Sequence, residues 1–225
     1  DGAVVAASFS KVGGGVLRYG TAYRYTSSGF EPNDVGFLSR ADYQALQNSL
    51  GFQFSKPTRF YRQAVLNFYG YGQWNSSGQR LGWQATAQSS IQLPNQFWLN
   101  HLVQVDGIGR AVDDRLTRGG PAVRRDPRVL MSLALQGDER RAVVPIWQMR
   151  GQLRDASGSW SLGVDPEVLL RPSGRIQSTI GVSYLRGVEA QQWAGKYTDE
   201  AERSHYTVAR LEQSVSVSLQ ADELL

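Results

Sequence analysis

Apolar and polar residues alternate one by one along most of this chain. From Ser159 to Arg171, Trp160, Leu162, Val164, Val168 and Leu170 are separated by Ser161, Gly163, Asp165, Glu167 and Arg171. Period two marks a strand with one apolar and one polar face. It recurs in Leu17, Tyr19, Tyr23 and Tyr25 against Arg18, Gly20, Ala22 and Arg24, and in Ile176, Ile180, Val182 and Tyr184 against Gln177, Thr179, Gly181 and Ser183. It closes with Leu211, Val215, Val217 and Leu219 against Ser214, Ser216, Ser218 and Gln220. Ala41 to Leu50 is the most helix-like stretch. Leu46, Asn48, Leu50, Phe52 and Phe54 carry the alternation through it, so strand is expected there too. The pattern predicts about eleven strands, over 3–11, 16–26, 41–55, 60–75, 81–92, 96–106, 128–137, 142–154, 159–171, 175–186 and 204–219.

Many of these strands exceed the five or so residues usual in soluble sheets and suit a tilted crossing of a bilayer. The connections add a second regularity. Those after the odd-numbered strands are short, among them Val12-Gly13-Gly14-Gly15, Lys56-Pro57-Thr58-Arg59, Pro94-Asn95 and Pro172-Ser173-Gly174. Three others, 27–40, 107–127 and 187–203, are long, and in an up-and-down meander all three fall at one end. Short turns on one side and long loops on the other is the asymmetry of an outer-membrane barrel. Aromatics such as Tyr25, Tyr61, Trp74, Trp83, Phe97, Trp98, Trp160 and Tyr184 fall near predicted strand ends, as interfacial girdles require.

Composition sharpens this. The hydrophobic fraction is 41%, yet there are 24 Gly, 10 Tyr, 8 Phe and 6 Trp, and no stretch is long and apolar enough for a membrane helix. Scattered single apolar residues suit a wall one residue thick. Cysteine is absent, which excludes disulfides and thiolate metal sites. The net charge of +4 comes without a basic, aromatic-interleaved stripe, so nucleic acid is not an expected partner. The chain opens on strand-like Asp1-Gly2-Ala3-Val4-Val5, and bacterial barrels have even strand numbers. Both features lead to the expectation of an incomplete segment of a larger barrel.

Few residues invite chemistry. His101 falls among apolar-face residues. Ser204 and His205 are adjacent, so in a strand they point to opposite faces and cannot act as a nucleophile and base pair. Two histidines without further ligands at useful spacing make no metal site. Gly13-Gly14-Gly15 is a turn, since no helix or Lys-Ser/Thr pair follows it. Trp193, Tyr197 and Tyr206, in or beside the loop 187–203, could stack on sugar rings, although Lys196, Asp199, Glu200, Glu202 and Arg203 also fit a plain hydrophilic loop. Two groups remain. Arg18, Arg24, Arg150, Arg154, Asp165, Glu167 and Arg171 fall on the polar face and would line water in a wide barrel. Asp113, Asp114, Arg115, Arg118, Arg124 and Arg125 share one long loop, where the carboxylates are expected to be ion-paired and the loop to fold on or into the barrel mouth. Such a loop could act as a constriction that selects solutes by charge.

Two segments carry a resemblance. Gly29-Phe30-Glu31-Pro32-Asn33-Asp34-Val35-Gly36-Phe37-Leu38, followed by Arg40-Ala41-Asp42-Tyr43, is one. Asp113-Asp114-Arg115-Leu116-Thr117-Arg118-Gly119-Gly120-Pro121 is the other. Over residues 16–219 the chain resembles the C-terminal β-barrel region of an uncharacterised bacterial outer-membrane family. Its members carry an N-terminal module similar to carbohydrate-binding family 9. The resemblance implies location and architecture, with no reaction to carry over. The expectation is therefore an all-β, antiparallel up-and-down transmembrane β-barrel segment, residues 1–225, with no second domain. Its expected setting is the bacterial outer membrane. Its expected role is non-catalytic and porin-like, passage or surface recognition of a polar solute, with a carbohydrate suggested by the family alone. The expected partners are the lipid bilayer and such a solute, with no cofactor. An outer-membrane hydrolase and a soluble sugar-binding sandwich or propeller are the alternatives. As a test of the membrane face, Ser161 and Gly163 are expected to accept an arginine that Leu162 and Val164 would not.

Overall fold

Eleven strands pair in an almost unbroken chain order into one antiparallel sheet. The computed structural model describes residues 2–30, 41–109, 111–118, 120–154, 158–173, 176–199 and 201–224, with backbone alone at 190–192 and 208–224. The strands are β1 (Val4–Lys11), β2 (Leu17–Thr26), β3 (Tyr43–Phe54), β4 (Gln63–Trp74), β5 (Arg80–Gln92), β6 (Trp98–Asp106), β7 (Val112–Asp113), β8 (Val123–Arg124), β9 (Arg128–Gln136), β10 (Val143–Arg154), β11 (Trp160–Ser173), β12 (Ile176–Thr198) and β13 (Ser204–Leu224). The short β7 and β8 pair with each other inside the connection from β6 to β9; the others form the large sheet, with β1 and β13 at its edges. Among the described residues the sheet is open.

The alternation in the sequence becomes two continuous faces because the register keeps like with like. Leu50 pairs with Phe68, Phe68 with Ala87, Ala87 with Val103 and Val103 with Met131. Beyond them Leu133 pairs with Met149 and Met149 with Val164. A slip of one residue would turn every one of these side chains to the other face. On this face Phe68 is 45% exposed, and Met131, Trp147 and Leu162 are exposed as well. Among the described residues the buried hydrophobics are only Ala45, Ala64, Leu81, Ala111, Val144 and Leu169. Among the described residues the sheet is thus a single layer with no apolar core behind it, and its apolar face is left open.

The opposite face is mainly polar, with single apolar residues such as Val65, Leu102 and Leu130 on it. Gln47 pairs with Tyr71, Tyr71 with Gln84 and Gln84 with Asp106. Gln104 pairs with Leu130, and Leu130 with Gln152. Where long charged side chains stand on this face, glycines make room for them. Arg150 pairs with Gly163 and Glu167 with Gly181. A Cβ on Gly163 would stand 2.7 Å from Arg150 Nε, and one on Gly181 would stand 2.7 Å from Glu167 Cγ. A side chain at Gly163 would therefore require Arg150 to move aside.

The predicted strand list holds with one substantial correction. Residues 187–203 are not a loop. β12 runs on to Thr198 and β13 starts at Ser204, so the two strands extend together as a ribbon closed by a turn at 199–203. Register shifts at Leu185/Gly187, Glu189/Gln192 and Trp193/Gly195 break the alternation there. That is why the segment reads as irregular. Connections 27–42, 75–79, 107–127, 155–159 and 199–203 share one end of the sheet, and 12–16, 55–62, 93–97, 137–142 and 174–175 share the other. The long connections do fall at one end, but the third is the ribbon. The motif residues 31–40 lie outside the described residues. The girdle is also less regular than expected. Trp98 shares the polar face with its partners Gln92 and Gln136, and Tyr184 pairs with Val164 away from any strand end.

Candidate lumen wall and mouth loop

The connection 107–127 is a built structure. An ion pair between Arg128 and Asp106, register partners on β6 and β9, clamps its base. Inside it, Asp113 accepts hydrogen bonds from the backbone N–H of Arg115 at 3.0 Å and of Leu116 at 2.9 Å, and from Arg125 Nη2 at 2.7 Å. Burial, the largest single influence, works against ionisation of Asp113. The Arg125 guanidinium and the two N–H donors together overcome it and hold the carboxyl below its ordinary range. Arg125 N–H donates to Ala111 O at 2.8 Å, and Thr117 Oγ1 donates to Pro121 O at 2.9 Å. Ala111 and Thr117 are buried by these turns.

The loop bridges strands on either side of its own end of the sheet. On one side Arg80 of β5 donates to Gly109 O at 2.9 Å. On the other, Gly120 meets the β12–β13 ribbon so closely that a Cβ would stand 2.5 Å from the Tyr206 ring. Arg118 lies 6.0 Å over Trp193, and Trp193 and Tyr206 have ring centroids 6.3 Å apart. Beneath the loop is a cavity of about 250 Å³ lined by Asp113, Leu116, Arg124, Arg125, Arg154 and Glu189. The ion-paired fold expected of the loop is thus present for Asp113 and Arg125. Arg115, Arg118 and Arg124 are exposed and Asp114 is half-buried.

The charged wall is assembled by β2 and by β10 to β12. Arg150 stands 3.4 Å from Asp165, which also accepts from Ser183 of β12. Asp165 is buried, and its Oδ2 has that ion pair but no hydrogen bond. Arg154 stands 3.6 Å from Glu189. Arg171 donates to Gln177 Oε1 at 3.0 Å and to Glu139 O in the turn below. On β2, Arg18 turns down to Gly15 O at 2.6 Å and Arg24 lies 5.8 Å over the Tyr43 ring. All seven residues read as polar-face do lie there, but not as one cluster. Arg150 and Asp165 meet, Arg154 joins the loop cavity, and Arg18 and Arg24 stand apart on the same face toward the other edge of the sheet. Sequence reasoning missed Glu189 and Ser183 as partners of Arg154 and Asp165, and Trp193 and Tyr206 as partners of the loop, since each pairing is set by register or by the loop's path.

His101 lies exposed on the apolar face opposite Leu133. His205 stacks on Tyr197, with centroids 4.8 Å apart, and its Nε2 stands 3.0 Å from Asp199. The His205 contact, together with the backbone N–H of Arg203, holds the Asp199 carboxyl below its ordinary range. Trp193, Tyr197 and Tyr206 therefore sit on the ribbon strands, not in a loop. Among the described residues no group of three His, Cys, Asp or Glu could hold a metal ion.

The family model described as a domain of unknown function, DUF5916, matches residues 1–224. No curated protein matches the chain. Its fold is similar to a solved structure, an anion-selective porin from Comamonas acidovorans, with a TM-score of 0.56 at 11% sequence identity. The match covers 97% of this chain and 58% of the porin, so the chain spans little more than half the porin's length.

Proposed function

We propose that this chain, which belongs to the DUF5916 family, forms a section of the wall of an outer-membrane β-barrel through which polar solutes pass. The single observation that carries this reading is the pair of continuous faces across eleven strands. One face is open and apolar, as lipid contact requires. The other is mainly polar and carries a folded loop at one end, as a water-filled lumen with a constricted mouth requires. A soluble protein would have to cover so large an apolar face. An open sheet has two unpaired edges, which the hydrocarbon core does not tolerate, so the remaining strands come from elsewhere in the full-length protein or from another chain.

In this reading the end bearing 27–42 and 107–127 faces outward, and residues 1–225 form one segment of the C-terminal barrel. An N-terminal carbohydrate-binding family 9-like module would lie outside this chain. The chain carries out no catalytic step. Its lumen charges favour anions, since Arg18, Arg24, Arg150, Arg154 and Arg171 outnumber Asp165 and Glu167 and the loop adds exposed Arg115 and Arg124. The similar fold of a porin titled anion-selective agrees with this.

The full-length protein should fractionate with outer membranes, migrate differently on gels before and after boiling, and conduct ions in planar bilayers. Recovery in the soluble fraction, with no conductance after reconstitution, would contradict the reading.

A further inference from the structure

The polar face has a second region with a different chemistry. Tyr69 and Tyr71 of β4 stand beside Gln47 of β3, Gln84 and Gln88 of β5 and Gln104 of β6 around a trough of about 440 Å³. Gln88 and Leu102 also belong to the neighbouring hollow of about 310 Å³, where Asn67, Asn100, Ser132 and Gln148 continue the same surface toward β10. Neither lining contains Asp, Glu, Lys or Arg, and the hollow's histidine, His101, belongs by register to the apolar face. Both volumes fall near the lower end of the range typical of small-molecule sites.

Amides dominate this surface, and each offers two donors and an acceptor without net charge. Neighbouring groups already orient some of them. Gln84 Nε2 donates to Thr86 Oγ1 at 3.0 Å, Gln88 Nε2 lies 3.4 Å from Tyr69 Oη, and Ser90 Oγ donates to Asn100 Oδ1 at 2.7 Å. A charged solute settling here would lose hydration and gain no counter-charge. An apolar solute would strip water from amides without replacing their hydrogen bonds. A hydroxyl both donates and accepts, as an amide surface does. The two tyrosines add an apolar body with a polar tip, suited to the C–H face of a sugar ring.

We infer that the β3–β6 trough is a binding site for an uncharged, hydroxyl-rich solute, an oligosaccharide in class. The inference rests on the pore reading above and assigns solute recognition to the neutral wall, apart from the charged wall that sets ion preference. The test uses the full-length protein in planar bilayers, with maltohexaose as the probe and a polyethylene glycol of matched size as the control. Maltohexaose should block the ion current in a saturable manner, and the glycol should not. The double variant Tyr69→Ala/Tyr71→Ala should raise the half-blocking concentration about tenfold. Gln47→Ala, at an exposed side chain, should raise it about threefold and keeps the test open if the double variant does not conduct. A wild-type protein that fails to conduct overturns the pore reading. One that conducts but is blocked equally by the glycol, or whose conducting variants bind maltohexaose unchanged, overturns this inference alone.

Discussion

The walls β3–β6 and β10–β13 belong to one sheet, share one apolar face and differ on the other. From β3 to β6 the polar face is built mainly of Gln, Asn, Ser, Thr and Tyr, with Ala45, Val65 and Leu102 among them. Its charged residues stand at strand ends, where Arg80 donates to Gly109 O and Asp106 is paired with Arg128. The ladders there run with one irregularity, at Gln73/Trp74. From β10 to β13 the polar face carries Arg150, Arg154, Asp165, Glu167 and Arg171, and the ladders shift at Leu170/Ser173 and three more times along β12 and β13. Short neutral side chains leave a regular pleat undisturbed. Long charged ones lie down across a neighbour, and opposite them stand glycines, Gly163 beneath Arg150 and Gly181 beside Glu167. The apolar face is alike in both regions, and the polar face is where they diverge.

Substitutions on the outer face should show the largest effect, and the same one in both regions. Leu50→Arg and Leu162→Arg should each cost assembly about 2–4 kcal/mol, as a cation in the lipid-facing band does. Gln47→Arg and Ser161→Arg should assemble. Folding into vesicles followed by gel shift checks this, and equal tolerance of all four would sink the shared membrane face. A smaller effect should separate the inner faces. Asp165→Asn removes the carboxylate beside Arg150 and leaves its guanidinium uncompensated. For a permeating ion within about 4 Å in water a unit charge is worth about 1 kcal/mol. The anion-to-cation permeability ratio, read from the reversal potential, should rise about two- to five-fold. Ser132→Ala, on the neutral surface, should leave it unchanged. A shift of the same size from both would mean that the two walls are not electrically distinct.

The same contrast marks how far the sequence could be read. Where side chains alternate in a regular ladder, as over Tyr43–Phe54 and Gln63–Trp74, strand, register parity and face are all legible from period two. Along β12 the bulges reset the parity, so Trp193 and Tyr197 lose their apparent period and read as loop. The loop 107–127 was legible as ion-paired because its Asp and Arg residues are close in sequence. Its seating on Tyr206 and Trp193 was not, since those contacts join residues some 75–90 positions apart. The amide trough was present in the sequence as Gln84, Gln88 and Gln104 at alternate positions. It becomes a surface only when the register sets them beside Tyr69 and Tyr71.

Under the proposed function the open apolar face meets lipid. β3 tests it directly, because its two faces expose comparable surfaces to any solvent present. Leu46 is 38% and Leu50 is 40% exposed on one face, and Gln47 and Gln53 are exposed on the other. This chain has no cysteine of its own. Single cysteines at these four positions, in a full-length protein otherwise cleared of the residue, can be titrated in lipid vesicles with a water-soluble, membrane-impermeant maleimide. Labelling is expected at 47 and 53 and protection at 46 and 50, with protection lost on unfolding. Equal labelling at all four would place water on both faces and contradict it.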